Sequence, residues 1–225
     1  AGMWADDDND NDGFSNSDER ANGTDPFLAS STPADSDSDF ISNLNDNCPN
    51  TYNADQEDKD NDGYGAVCDP FDNDATEWLD SDGDGTGNNA DKDVDGDQLI
   101  EISSLNELNE IRNNLTGQAI FGDATGCTPS CNGFELTSNL NFDTSGDGIV
   151  DANDDYWNAG LGWQPIGTSS SNAFTAKFNG NSFTLSRLTI NRPATSYVAL
   201  FGYSKQGADI SNLQLQKVNV VGKNE

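Results

Sequence analysis

Histidine is absent from this 225-residue chain, and lysine and arginine together number 10 against 40 aspartates and glutamates. The first absence removes imidazole acid–base catalysis and the commonest zinc ligand. The scarcity of bases leaves a formal net charge of −30. Such a charge repels phosphate and anionic lipid, which excludes nucleic acid and electrostatic membrane binding. Long apolar runs are missing too. The densest, around Val198–Phe201, falls far short of the roughly 20 residues of a membrane span, so no membrane insertion is expected. The length allows one large domain or two modest ones. The four cysteines are even in number and set in polar, Gly- and Asn-rich sequence, which predicts disulfides and an oxidising compartment. The chain opens on Ala1 with no charged n-region and apolar h-region after it. It is therefore expected to be either an excerpt of a longer chain or a secreted chain freed of its signal peptide.

The charge is unevenly spread. Residues 1–100 hold 28 acids and three bases (Arg20, Lys59, Lys92), a net of −25, whereas residues 101–225 hold 12 acids and seven bases, a net of −5. The stretch DKDVDGDQLIEI passes from acid-rich to apolar. The expected organisation is an acidic array over 1–98 and a more ordinary domain over 99–225. By charge and hydropathy alone the acidic part reads as disordered. Two unit charges 4 Å apart in water repel by about 1 kcal/mol, and that repulsion is repeated along the tract.

The acids are nevertheless spaced in a pattern. Calcium takes six to eight oxygens at about 2.3–2.6 Å, and a twelve-residue loop supplies them from positions 1, 3, 5, 7, 9 and 12, with glycine at 6. Asp8, Asp10, Asp12 and Gly13 fit this template and continue to Asn16 and Glu19. Asp58, Asp60, Asp62 and Gly63 end on Asp69, and Asp80, Asp82, Asp84 and Gly85 pass Asn88 to Asp91. In the second half, Asp143, Ser145, Asp147 and Gly148 pass Asp151 to Asp154. Weaker windows lie between: Asp35, Asp37 and Asp39 lead to Asp46, but Phe40 replaces the glycine. Asp91, Asp93, Asp95 and Gly96, with Asp97 following, lack a carboxylate at position 12, Glu101 falling one residue short. Asp69, Asp72 and Asp74 are irregular and are expected to complete neighbouring sites.

From Asp58 the anchors fall at 58, 69, 80 and 91, a step of eleven. The closing aspartate of one loop thus opens the next, which predicts an array wound around a row of several calcium ions. EF-hands proper need an amphipathic helix on each side of the loop, and PNTYNADQE before Asp58 and Pro70 after Asp69 do not supply one. The unit DNCPNTYNADQEDKDNDGYGAVCD, residues 46–69, resembles the thrombospondin type 3 repeat. Residues 1–45 and 70–98 resemble it more loosely, through their DxDxDG units. The resemblance implies a calcium-wrapped repeat in which Cys48 bonds Cys68 around the ligands Asp58, Asp60, Asp62 and Asp69. Ala66-Val67 stands where that family usually carries an acid.

In the second half, EISSLNELNEIRNNL places Leu105, Leu108, Ile111 and Leu115 on one helical face behind the capping box Ser104-x-x-Glu107, with Gly117 as the stop. Cys127 and Cys131, in CTPSC, are expected to tie a short loop as a disulfide, since no second pair completes a zinc ribbon. Phe134-Glu-Leu136 and Leu140-Asn-Phe142 alternate as strands. Leu185-Ser-Arg-Leu188-Thr-Ile190 aligns with Ile210-Ser-Asn-Leu213-Gln-Leu215 at an offset of 25. Short strands joined by Asn-Gly corners suit a β-solenoid, with a β-sandwich as the competing fold. WQPIG at 163–167, the FNGNSFTL that begins at Phe178, ALFG at 199–202 and ADISNL at 208–213 resemble the GLUG-type repeats of bacterial surface proteins. With the lead-in from Asp91, that resemblance covers about residues 91–222. It implies a right-handed β-helix of a secreted or cell-surface protein. The fold class expected is thus mainly β, a calcium array followed by one short helix and a solenoid.

Three functions compete. The first is a calcium-stiffened structural module of a bacterial surface fibre or long surface protein, self-associating as a filament subunit or continued by further repeats. The second is adhesion, with Tyr156, Trp157, Trp163, Tyr197 and Tyr203 meeting a glycan or a surface protein. The third is a β-helix polysaccharide lyase, but Lys177, Arg187, Arg192, Lys205 and Lys217 form no cluster with carboxylates and no catalytic motif is present. A non-enzymatic role is expected.

Overall fold

A computed structural model describes residues 7–223. The chain divides into two units. The first runs to Asp80 and takes in Gly87–Asn89; the second comprises Ser81–Thr86 and the chain from Ala90 onward.

The first unit is built almost wholly of turns. The one helix among its described residues, α1 (Asn16–Asn22), is bounded by Ser15, whose side chain accepts from the Asp18 N–H, and by Gly23 in the left-handed region at φ 75°. The sequence pattern predicts one helix, in the second half of the chain, and α1 corrects that to two among the described residues. A seven-residue helix is marginal by propensity and forms here because both ends are capped. The Asp18 carboxylate accepts from the Ser42 N–H (3.1 Å) and hydroxyl (2.6 Å), tying the helix to a loop 24 residues on. Apolar burial is slight: among the described residues of this unit, Phe14 and Cys48 are the buried apolar side chains, while Phe27, Leu44, Tyr52 and Val67 face solvent. Disulfide Cys48–Cys68 closes a loop of sequence separation 20 and supplies part of the missing restraint.

The second unit is a β-solenoid. Strands β1 (Leu99–Ile102), β2 (Gly133–Leu136), β4 (Lys177–Asn179) and β7 (Asp209–Ser211) form one parallel sheet in that order. Strands β3 (Leu140–Asn141), β5 (Thr184–Ser186) and β8 (Gln214–Gln216) form a second. A third joins β6 (Thr189–Asn191) to β9 (Asn219–Val221). Every strand pair is parallel, which rules out the sandwich, since that fold pairs its strands antiparallel. Like residues stack between coils: Ile100, Phe134, Phe178 and Ile210 in one file, Leu140, Leu185 and Leu215 in another. Ile100, Phe134, Phe178 and Leu185 are fully buried with Leu136, Ile166 and Phe174.

This register corrects the alignment of Leu185 with Ile210. Leu185 stacks on Leu215, 30 residues on, and Phe178 on Ile210, 32 residues on. Strands of different faces share the same small-apolar-polar pattern, so the alignment matched one face with another. An earlier coil is longer, Leu140 meeting Leu185, because the Asp143–Asp154 loop is inserted there.

Helix α2 (Leu105–Glu110) carries the anticipated capping box, with Ser104 and Glu107 bonded reciprocally, and buries Leu108. It ends earlier than Gly117, passing at Ile111–Asn113 into a 3₁₀ turn. Gly117, at φ 73°, is instead used where its backbone passes against Gly133, a Cβ there meeting the Gly133 nitrogen at 2.4 Å. The Cys127–Cys131 disulfide is formed. No helix among the described residues is long and apolar enough to cross a membrane. Phe178→Ala should destabilise this unit by about 3–5 kcal/mol, while Leu215→Ala, at a position 46% exposed, should cost much less. Urea unfolding followed by tryptophan fluorescence measures both, and equal losses would contradict a core made of stacked coils.

Candidate metal centres

One backbone trace recurs in three acidic windows of the first unit. The opening aspartate accepts two main-chain N–H bonds: Asp8 from Asn11 (2.8 Å) and Gly13 (3.1 Å), Asp35 from Ser38 (2.7 Å) and Phe40 (3.1 Å), Asp58 from Asn61 (2.7 Å) and Gly63 (3.1 Å). All six donors lie at positive φ. The carboxylate at position 5 accepts from the residue two further on, as Asp12 does from Phe14 (3.0 Å), Asp39 from Ile41 (2.8 Å) and Asp62 from Tyr64 (2.8 Å). The loop thereby curls around its own acids. One oxygen from each of Asp8, Asp10 and Asp12 lies within 4.8 Å of the others, and the same holds for Asp35, Asp37 and Asp39 and for Asp58, Asp60 and Asp62.

The Asp35 window is as regular as its neighbours although it lacks the glycine. Phe40 adopts φ 72°, a conformation that costs a bulky residue of order 1–3 kcal/mol. Its ring lies on Gly13 of the preceding loop, where a Cβ would stand 2.5 Å from Phe40 Cδ1, and is tilted against Phe14 at 6.1 Å. That packing holds the unfavourable backbone in place.

Closing residues complete the seats. Glu19, brought in by the first turn of α1, has no exposed surface, and neither of its oxygens has a hydrogen-bond partner. Burial, then the charges of Asp10, Asp12 and Asp8, raise its pKa. Asp46 closes the second window and Asp69 the third, each buried with its Oδ2 lacking a partner. Asp46 Oδ1 accepts from the Cys48 N–H (2.8 Å), so the disulfide and the carboxylate fix each other. Burial chiefly raises Asp69, and the charges of Asp62, Asp60 and Asp72 add to it. Asp72 pairs with Lys59 through Oδ2 and leaves Oδ1 buried without a partner. Asp74 instead accepts from the Thr76 N–H and hydroxyl. Asn16 accepts from the Asn9 N–H (3.1 Å).

Asp80 belongs to the first unit, Asp82 and Asp84 to the second. The Asp84 carboxylate is held below the usual range by hydrogen bonds from Thr128 and Thr86. Asn88 donates its N–H to Leu79 O (2.9 Å). Asp91 is buried with Oδ2 unpartnered, and its pKa is raised by burial and by Asp84 and Asp82.

The next window opens on Asp93 in the structure, not on Asp91. Asp93, Asp95 and Asp97 bring one oxygen each within 4.8 Å of the others. Gly96 takes position 4 and Gln98, at φ 70°, takes the glycine position and donates its N–H to Asp93 (3.0 Å). Glu101, on β1, then falls at position 9, its Oε1 accepting from Val94 (2.7 Å) and its Oε2 buried without a partner. Burial pushes Glu101 to about 7 and Asp93 to about 6. Glu135 sits directly opposite Glu101 on β2, is buried, and is raised by burial and by Asp97, Asp95 and Asp93. Neither glutamate was among the residues the sequence singled out as ligands. Their signal was an acid inside an otherwise apolar strand, LIEI and GFEL.

The Asp143 loop follows the common trace but ends differently. Asp143 accepts from Gly146 (2.8 Å) and Gly148 (3.0 Å), and Asp147 from Ile149 (3.0 Å). Ser145 donates its hydroxyl to Asp143 (3.4 Å). Asp154 spends both oxygens on main-chain N–H groups of Ser145 (2.9 Å) and Asp151 (2.7 Å), which lower its pKa. Arg187 Nε lies 3.5 Å from Asp143 Oδ2.

Of the fifteen buried side-chain polar atoms without a partner among the described residues, thirteen are carboxylate oxygens of the 1–101 region. Buried oxygens normally find donors. A set of convergent, orphaned hard oxygens matches the donor chemistry of calcium. Asp8, Asp10, Asp12 and Glu19, with the equivalent sets closed by Asp46 and Asp69, are the residues that would hold it. The ion would supply the positive charge that these loops do not contain.

Glu19→Gln should raise the melting temperature of the chelated protein, by removing a buried charge, and lower that of the calcium-loaded one, by removing a ligand. Thermal melts with and without EGTA check the crossing of signs. Glu101 and Asp93 titrate above their ordinary values, so the stability they contribute to the metal-free fold is present below pH ~4 and lost as pH rises through about 6 to 7. Denaturant midpoints of the chelated protein at pH 4.5 and 7.5 should fall accordingly; a rise would refute the assignment.

Residues 8–29 match the bacterial TSP3 repeat family, whose repeats bind calcium. Over 129 residues, 57% of its length, the chain is 30% identical to Halomucin of Haloquadratum walsbyi. It spans 1% of that protein's length.

Proposed function

We propose that this chain is a calcium-rigidified, non-catalytic structural module of an extracellular surface protein. The observation that carries the reading is the orphaned carboxylate oxygens, repeated in loops of one trace. Without cations they amount to uncompensated repulsion; with cations they become a row of cross-links. Extracellular modules bind calcium at about 10⁻⁴–10⁻³ M, so the chain would stiffen after export. The disulfides, the TSP3 match and the similarity to a segment of Halomucin support that location.

The finer reading is a segment of a long surface protein or fibre, with the coils related to GLUG-type repeats. Ile210, Leu215 and Val220 stack in register on Phe178, Leu185 and Ile190 yet are 40%, 46% and 42% exposed. Exposed core-type residues beside free strand edges favour covering by another coil, from further repeats or from a second copy. Calorimetric titration of the chelated protein with calcium should give several ions, with a gain in circular dichroism and in protease resistance over residues 7–98. No heat and an unchanged digestion pattern would sink the calcium reading. Sedimentation velocity at millimolar calcium separately tests self-association: particles larger than the monomer support it, and a monomer at every concentration rejects it.

A further inference from the structure

The outer face of the β6–β9 pair floors a cavity of about 450 Å³, within the range of about 300–1,000 Å³ of small-molecule pockets. Ile190 points into the core, so its neighbours Thr189 and Asn191 point outward, level with Asn219 and Val221 of the next coil. Trp157 and Ile149, from the segment that holds the Asp143 loop, form one wall. Arg187 and Lys217 stand at the rim. They occupy the same corner of successive coils, since the Arg187 N–H donates to Gln216 O (2.8 Å), and both have positive φ. The Arg187 guanidinium is oriented by Asp143 and by the Gly148 carbonyl. Lys217 is exposed and makes no ion pair among the described residues. Among the described residues no acidic side chain lines the cavity, although the chain carries 40 acids.

We propose that this cleft binds an acidic saccharide, with a carboxylate on Lys217 and Arg187 and a sugar ring against the Trp157 indole. Each component has a counterpart: the apolar wall for the C–H face of a sugar, Thr189, Asn191 and Asn219 for hydroxyls, the two cations for a uronate. Asp143 offsets the Arg187 charge and leaves Lys217 as the unpaired cation; the Debye length is about 8 Å at physiological salt, which screens the carboxylates farther away. An extended peptide fits less well. Peptides dock on sheet edges through main-chain bonds, and this cleft lies on a sheet face that offers side chains. The inference is independent of the calcium-scaffold reading, which needs none of these residues except as a folded background.

The test is calorimetry of the full chain in millimolar calcium with trigalacturonate, with its neutral galactose counterpart and with penta-glutamate. Trigalacturonate should bind, and the neutral trimer and the peptide should bind at least about tenfold more weakly, as expected for a loss of about 1.4 kcal/mol. Lys217→Gln and Trp157→Ala should each weaken trigalacturonate by about tenfold or more with the circular dichroism unchanged. Uronates also ligate calcium, so a bridge through the acidic loops is the competing explanation. That bridge would be insensitive to both substitutions. Binding that survives Lys217→Gln at full strength, equal binding of the neutral trimer or the peptide, or no binding at all overturns the proposal.

Discussion

Carboxylates held within 4.8 Å of one another, with oxygens shut away from water and from donors, impose the constraint under which the first unit folds. In ordinary proteins the buried apolar surface offsets the conformational entropy of folding. Here, among the described residues of this unit, only Phe14 and Cys48 bury apolar side chains. What orders the backbone is a set of main-chain N–H groups donated to the opening acid of each loop, together with one disulfide. Those bonds shape the loops but leave their charge uncompensated. On the proposed reading, an external cation would supply the missing stability of this part in the way that a metal does for small zinc domains.

The second unit solves the same problem by opposite means. Its coils bury files of Ile, Leu and Phe between parallel strands, and a capped helix covers the first coil's apolar residues. Acid still intrudes at one place, where Glu101 and Glu135 lie side by side at the start of the stack, close to Asp93. The first coil thus carries both kinds of restraint, apolar below and ionic at its margin. The Asp143 loop shows the intermediate case. Its trace is that of the acidic windows, but its acids are answered by main-chain donors and an arginine.

Most of this was legible because spacing carries the chemistry. The interval between Asp8, Asp10, Asp12 and Glu19 predicts a loop, and the loop forms with those residues converging. The DNCP and CD flanks located the disulfide through their resemblance to a known repeat, and the capping box at Ser104 is found as written. What sequence could not supply was conformation set by tertiary contact. Phe40 and Gln98 take backbone angles that normally call for glycine, so in sequence the one window reads as lacking its turn and the other is displaced by two residues. Helix α1 is too short to show periodicity and is defined by its caps alone. The coil register is not legible in the sequence because strands on different faces obey one pattern, and only the pairing of Leu185 with Leu215 separates them. Glu135 does not stand out in the sequence because an acid in a strand reads as a solvent-facing residue until the neighbouring coil covers it.

The seating of Phe40 on Gly13 has a consequence for how such arrays change. The two loops differ at the same template position, one bare and one aromatic, and the aromatic ring of the second rests on the bare position of the first. Exchanging them would leave a ring without its recess and a recess without its ring. Although they look like interchangeable beads, these two loops have a fixed order, and duplication or shuffling of single loops should be selected against in favour of moving the pair as a block.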